Sequence, residues 1–195
     1  MGMIYRESMH PGGVRLTDRA ARLAGISSGM EVLDVGCGNG VSLGFLERSF
    51  GVVPYGMDIS EKLIGSARQR LPAAALTVGD AAWLPYQDAS FDAVICECVL
   101  SLVEDAGWVL SEMRRVLRPL GMLILSDVCV EEEFGRVQGM FLKVGFDVIC
   151  LEEHKAALTT YIAERYAEGK PAEAWLGDSS CERGTYYLIV CQRGG

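Results

Sequence analysis

Three alternating glycines, Gly36, Gly38 and Gly40, stand directly after the apolar run Val32-Leu33-Asp34-Val35. Glycine permits left-handed backbone and close approach of a ligand, and a helix opening from such a loop presents unpaired N–H groups. Strand-to-helix turns also use glycine for steric reasons alone, so the loop by itself fits either a ligand seat or a plain turn. A second feature favours the seat. Asp58 follows Gly36 by 22 positions at the end of an apolar stretch, close to the spacing of about 20 at which a carboxylate accepts hydrogen bonds from ribose hydroxyls. Glycine loop and acid together point to a nucleoside.

Further chemistry-bearing residues end other apolar runs. Asp80 closes 75–80, Cys96-Glu97-Cys98 closes 93–98, and Asp127 closes 122–127. Glu97 is the first candidate to take a proton from a substrate, with Asp127, His10 and Tyr5 behind it. Cys96 and Cys98 are two apart, so on a strand they share a face; soft thiolates in that arrangement suit a metalloid such as arsenite, while free cysteine is among the most buried residue types, which favours reading both as small buried hydrophobes. His10 precedes Pro11-Gly12-Gly13 and reads either as a turn residue or as part of a flap over the glycine loop. His154 reads as a helix-start residue without a partner.

The elements that must position these groups alternate in type. After a lead-in, a short helix carries Leu16, Ala20 and Leu23, capped near Thr17 or Asp18 and ended by Gly25 to Gly29. Strands are expected over 31–35, 51–58, 75–80, 93–98 and 122–127. Between them lie a helix from Val41, a Ser60-capped helix with Leu63, Ile64, Ala67 and Leu71, and one starting at Asp105 with Trp108, Val109, Met113 and Val116. Beyond Glu131 follow a helix through Phe141 and Val144, a strand 146–151, a helix over about 154–168, a loop with Trp175, the polar stretch 177–184 and a strand 185–191. Such alternation builds a parallel sheet with helices on both faces, its ligand crevice at the strands' carboxyl ends.

Composition narrows the partners. The 195 residues suit one domain, divided as lead-in 1–29, cofactor-binding core 30–130 and completing elements 131–195. A formal charge of −8 disfavours nucleic acid, whose phosphates demand lysine and arginine. No apolar run reaches the roughly 20 residues of a membrane span, the first 13 residues lack a signal-peptide core, and Arg6 stands where myristoylation wants serine or threonine; a cytoplasmic protein is expected. The seven cysteines, an odd number mostly within apolar runs, form neither a disulfide framework nor zinc-type spacing, so no metal is expected.

Two ligands fit the glycine turn and its acid, a dinucleotide and S-adenosylmethionine. Val41 stands where the dinucleotide fingerprint has its last glycine, which disfavours a nicotinamide-dependent oxidoreductase. The segments 32–40, Gly56-Met57-Asp58, Gly79-Asp80-Ala81, Phe91-Asp92-Ala93-Val94 and Leu117-Arg118-Pro119-Leu120-Gly121 jointly resemble the class I S-adenosylmethionine-dependent methyltransferases, in particular the ubiquinone-biosynthesis-like and arsenite-methyltransferase-like branches. The resemblance covers about 30–130. It implies a Rossmann-like α/β fold, a seven-stranded, mostly parallel sheet with an antiparallel last strand. It also implies that Asp34, Gly36 and Gly38 hold the methionine end, that Asp58 binds ribose, and that Asp80 and Ala81 meet adenine. Cys37, Asn39, Gly40, Ile59 and Cys96 are implied around them. The implied activity is methyl transfer to a small-molecule acceptor by in-line displacement.

Departures qualify that expectation. Many relatives read Ser-Asn-x-x-Leu-His-His where this chain reads Cys96-Glu97-Cys98-Val99-Leu100-Ser101-Leu102, so the usual histidine is missing. That leaves room for a non-catalytic adenosylmethionine-binding module or partner subunit, and for the metalloid chemistry of Cys96 and Cys98. Leu120 replaces a usual glycine at a position where a type II turn needs positive φ, so a different turn is expected there.

Overall fold

The computed structural model describes residues 9–130, 134–169 and 184–195. Tyr5, Trp175 and Cys181 lie outside them. In chain order the elements are α1 (Gly13–Leu23), β1 (Glu31–Val35), α2 (Val41–Phe50), β2 (Val53–Asp58), α3 (Glu61–Arg70), β3 (Ala75–Val78) and β4 (Phe91–Glu97). A 3₁₀ turn (Leu100–Leu102), α4 (Ala106–Val116), β5 (Leu117–Val130), α5 (Phe134–Val144), β6 (Phe146–Glu153), α6 (Lys155–Ala167) and β7 (Gly184–Arg193) follow. The seven strands lie in the order β3-β2-β1-β4-β5-β7-β6. β7 runs antiparallel to both its neighbours, β5 and β6, while β1 to β5 pair in parallel. This is the Rossmann-like sheet expected from the sequence.

The central strands read as unbroken apolar runs because both their faces are covered. On one face Leu33, Val35, Val94, Cys96, Leu123 and Leu125 pack with α4 and α5 through Leu110, Met113 and Phe141. On the other, Val32, Ala93, Ile95 and Ile124 pack with α1, α2 and α6 through Leu16, Ala20, Leu46 and Leu158. Helix starts follow their capping residues: the Ser60 hydroxyl accepts from the Leu63 N–H at 3.3 Å, and Asp105 from that of Trp108 at 2.9 Å.

Four local expectations change. α1 begins four residues before Thr17, because Gly12 takes left-handed φ (77°) and the Gly13 N–H donates to the His10 carbonyl, so the turn itself starts the helix. Thr17 is therefore an interior, fully buried residue rather than a cap. β3 stops at Val78, leaving Asp80 in the loop beyond. Leu120 adopts the positive φ (63°) thought to be avoided without glycine. Its neighbours hold it there: Arg118 pairs with Glu31 and with Asp92 at 2.8 Å, and the Gln192 side-chain amide donates to the Leu120 carbonyl at 3.2 Å. His154 also has a partner, its Nε2 lying 3.0 Å from Glu152.

Candidate active site

At the carboxyl ends of β1, β2 and β4 a cavity of about 670 Å³ opens, within the usual range for small-molecule sites. It sits where the strand order reverses between β1 and β4, the switch point at which open α/β sheets bind ligands.

The glycine loop forms its floor. The N–H groups of Gly36 and Cys37 both donate to the Met57 carbonyl, at 2.7 and 2.9 Å, folding the loop back over β2. Gly36 has φ 77°, and a Cβ there would lie 2.2 Å from Val99 Cγ2, so both conformation and space require glycine. Gly40, at φ 76°, is the residue before α2 and shapes the loop without lining the cavity. Cys37, Gly38 and Asn39 do line it.

Asp58 stands at the wall next to this floor. Its Oδ2 accepts from the Gly38 N–H at 2.9 Å and its Oδ1 from the Ser60 N–H at 2.8 Å. A carboxylate has about four acceptor positions, so the group is held in place with capacity to spare. Further round the rim lie Ile59, Asp80 and Ala81. Asp80 is fixed by the Ala82 N–H at 2.9 Å, and the Trp108 indole N–H donates to the Ala82 carbonyl at 2.8 Å.

Asp34 lines the same cavity at 2% exposure and accepts no hydrogen bond from the described residues. Burial, with the nearby carboxylates of Glu97 and Asp58, pushes its carboxyl well above the usual range. This acid lacks a donor.

Glu97 ends β4, beside β1, and lines the cavity with its side chain 7% exposed. Thr17 donates to its Oε1 at 2.9 Å, and His10 Nε2 lies 3.1 Å from its Oε2. The same His10 nitrogen is 3.2 Å from the Ser42 hydroxyl. Four buried polar groups from the lead-in, α1, α2 and β4 thus meet at one point. Met9 and His10 also line the cavity, the Met9 sulfur lying 3.5 Å from where a Cβ at Gly38 would stand.

Asp127 and Cys96 fall elsewhere, whereas Cys98 lines the cavity. Asp127 is 1% exposed, does not line the cavity, and accepts from the Ser101 N–H at 2.9 Å and the Val128 N–H at 2.7 Å; it fixes the 3₁₀ turn rather than meeting a substrate. Cys96 is fully buried in the core beneath α4, away from the cavity. Cys98 lies past the end of β4 with φ 57°, and this left-handed residue turns its side chain to the opposite face of the sheet, where the thiol donates to the Tyr186 hydroxyl at 3.6 Å. The two cysteines therefore do not share a face. Burial raises both thiols well above their ordinary range, and no group of histidine, cysteine and acid suited to a metal ion occurs among the described residues. The sequence alone does not single out Thr17, Ser42, Val99 and Trp108 as neighbours of the site. Only the i+4 fit of Thr17 to the apolar stripe of α1, which points it inward, was visible in the sequence.

Residues 33–125 match the methyltransferase domain family. The chain is 39% identical over 119 residues to 27-O-demethylrifamycin SV methyltransferase of Amycolatopsis mediterranei, covering 58% of this chain and 44% of that protein. The chain spans less than half the length of this and the other first-ranked curated relatives. Its fold is similar to that of the [4+2]-cyclase SpnF (TM-score 0.81, 20% identity, 93% of this chain and 80% of that one). It is equally similar to phosphoethanolamine N-methyltransferase 2 of Haemonchus contortus in complex with S-adenosyl-L-methionine (TM-score 0.80, 17% identity, 98% of this chain and 55% of that one). With the sheet order and the switch-point cavity, these matches give the chain a Rossmann-like fold in which residues 33–125 are similar to methyltransferase domains.

Proposed function

We propose that the chain binds S-adenosylmethionine in this cavity and methylates a small-molecule acceptor. The observation that carries the reading is the convergence of the glycine loop, the anchored Asp58 and the donorless Asp34 on one cavity at the switch point. The residues fit the group. Asp34 wants a cationic partner, as an amino-acid ammonium would be; Asp58 has spare acceptor positions for ribose hydroxyls; Asp80 and Ala81, beside the Trp108 ring, offer a polar edge and an apolar wall for a base.

When bound, the cofactor supplies a methyl group activated by a cationic sulfur. The chain's part is alignment and exclusion of water. Met9 and His10 line the cavity, and Val99, Leu102 and Val103 wall it with apolar surface. For an acceptor that carries a proton, Glu97 takes it, steadied by the Thr17 hydroxyl and His10.

One domain working in the cytoplasm on small molecules completes the reading. Its support is the −8 charge, which is unsuited to nucleic acid, and the absence among the described residues of any helix long and apolar enough to cross a membrane. Calorimetry tests the core of it: S-adenosylmethionine and S-adenosylhomocysteine should both bind with one-to-one stoichiometry. Binding of neither ends the reading.

A further inference from the structure

The ring of His10 is 6% exposed and meets polar atoms at both its nitrogens. Nδ1 lies 3.2 Å from the Pro11 carbonyl oxygen, while Nε2 lies 3.1 Å from Glu97 Oε2 and 3.2 Å from the Ser42 hydroxyl. A carbonyl oxygen only accepts, so Nδ1 carries a proton, and in a neutral imidazole the other nitrogen is then an acceptor. An ionised carboxylate also only accepts. Two acceptors this close repel unless a proton lies between them. That proton is one more than a neutral imidazole and an ionised carboxylate hold.

The neighbours fit a proton that comes and goes. The Thr17 hydroxyl is engaged on Oε1, and among the described residues the His10 ring is the hydrogen-bonding neighbour of Oε2. The Ser42 hydroxyl both donates and accepts, so it can give its hydrogen to Nε2 when the shared proton is absent and turn when it returns. The other ionisable groups packed here are Asp34 on β1, Cys98 after β4, Tyr186 on β7 and Tyr161 on α6, whose hydroxyl donates to the Met9 carbonyl at 3.0 Å. Burial raises all four, which favours their neutral forms and leaves Glu97 and His10 as the pair that exchanges a proton.

We propose that His10 is a positioning residue for the reaction, its Nε2 sharing with Glu97 the proton that the acceptor gives up. This rests on the methyl-transfer reading above. The bond broken is the acceptor's bond to hydrogen: its electron pair stays on the acceptor atom, and the proton moves to Glu97 Oε2 and comes to rest against Nε2. It passes to water when the products leave. The ring also borders a second cavity, of about 850 Å³ between α1 and α6, apart from the one assigned to the cofactor.

Nitrogen-15 NMR tests this on the full chain without any acceptor, because the sequence holds two histidines, His10 and His154. His154→Gln leaves one ring to read, and loss of a signal in His10→Gln gives the same assignment in protein that retains both. Across the range of histidine titration, about pH 5 to 8, the Nδ1 signal should stay at its protonated position while the Nε2 signal alone shifts. The carboxyl carbon of Glu97, assigned by its loss in Glu97→Gln, should shift over the same interval, since the steps of a shared proton belong to the pair. A histidine that only packs would leave the two signals unrelated. An Nε2–H tautomer with Nδ1 bare overturns the proposal, because that ring donates to an ionised Glu97 with no extra proton; separate intervals for carbon and nitrogen overturn it too. Calorimetry with S-adenosylhomocysteine on the same sample keeps the readings apart. If it binds, either failure strikes the His10 assignment alone, and if it does not, both readings fall.

Discussion

The carboxylate of Asp58 accepts the backbone N–H of Gly38 at 2.9 Å, tying the end of β2 to the middle of the glycine loop. One side chain thus shapes the loop and presents acceptors to the cavity. Asp58→Ala should cost both functions: cofactor affinity at least about tenfold lower by calorimetry, and about 1 to 3 kcal/mol of stability for the two N–H groups left without an acceptor. Unchanged affinity would remove Asp58 from the ribose.

Asp34 links stability to pH. Its folded carboxyl titrates well above the ordinary value near 4, so the native state holds a proton that the unfolded chain releases. Its contribution to stability is fully present below pH 4 and is lost as pH rises toward the elevated folded value. Asp34→Asn should therefore melt higher than the unaltered protein at pH 8 when no ligand is present, with the gap closing near pH 4. The same variant should lose the thermal shift that S-adenosylmethionine produces. Melting curves across that range check both.

Kinetics of variants at Glu97, the proposed proton acceptor, and at Asp127 distinguish chemistry from support. On the true acceptor, Glu97→Gln should lower kcat by about 10²- to 10⁴-fold and flatten the acid limb of its pH profile, as loss of a proton acceptor does. Asp127→Asn should leave that limb in place and act through the 3₁₀ turn, raising KM, because its oxygens hold Ser101 and Val128 and do not reach the cavity. A flattened profile in Asp127→Asn would reverse the assignment.

Leu120 is held at φ 63°, a conformation costing a residue with a Cβ roughly 1 kcal/mol or more. It is also 64% exposed, so little packing is lost with its side chain. Leu120→Gly should raise the melting temperature by about 2 to 4 °C. A lowered value would mean that the leucine side chain contributes more than its backbone costs.

Much of this site could be read before any coordinates. Asp58 and Asp80 each close an apolar run and Asp34 stands one residue before the end of another, and a parallel sheet brings all its strand ends to one edge, so their meeting follows from the pattern of runs. The His10–Glu97 contact does not. It depends on α1 lying across the sheet through Leu16 and Ala20, a packing choice that no local pattern encodes, and the same packing turns Thr17 inward to meet Glu97. Cys98 defeats local reasoning in another way. Period-two alternation holds only while the strand continues, and a single left-handed residue after Glu97 sends the second thiol to the other face. Leu120 shows the converse, a strained backbone held by Arg118 and Gln192 from elsewhere in the fold.

The Trp108 ring has a further use. It borders the cavity with its indole N–H pinned to the Ala82 carbonyl, and it lies 5.5 Å from the ring of Trp83, which is itself largely open to water. A ligand entering the cavity replaces water against one ring of a coupled pair, and that alters ultraviolet emission. The protein therefore carries its own optical gauge of occupancy, and titrations with unlabelled ligand can be followed in a cuvette.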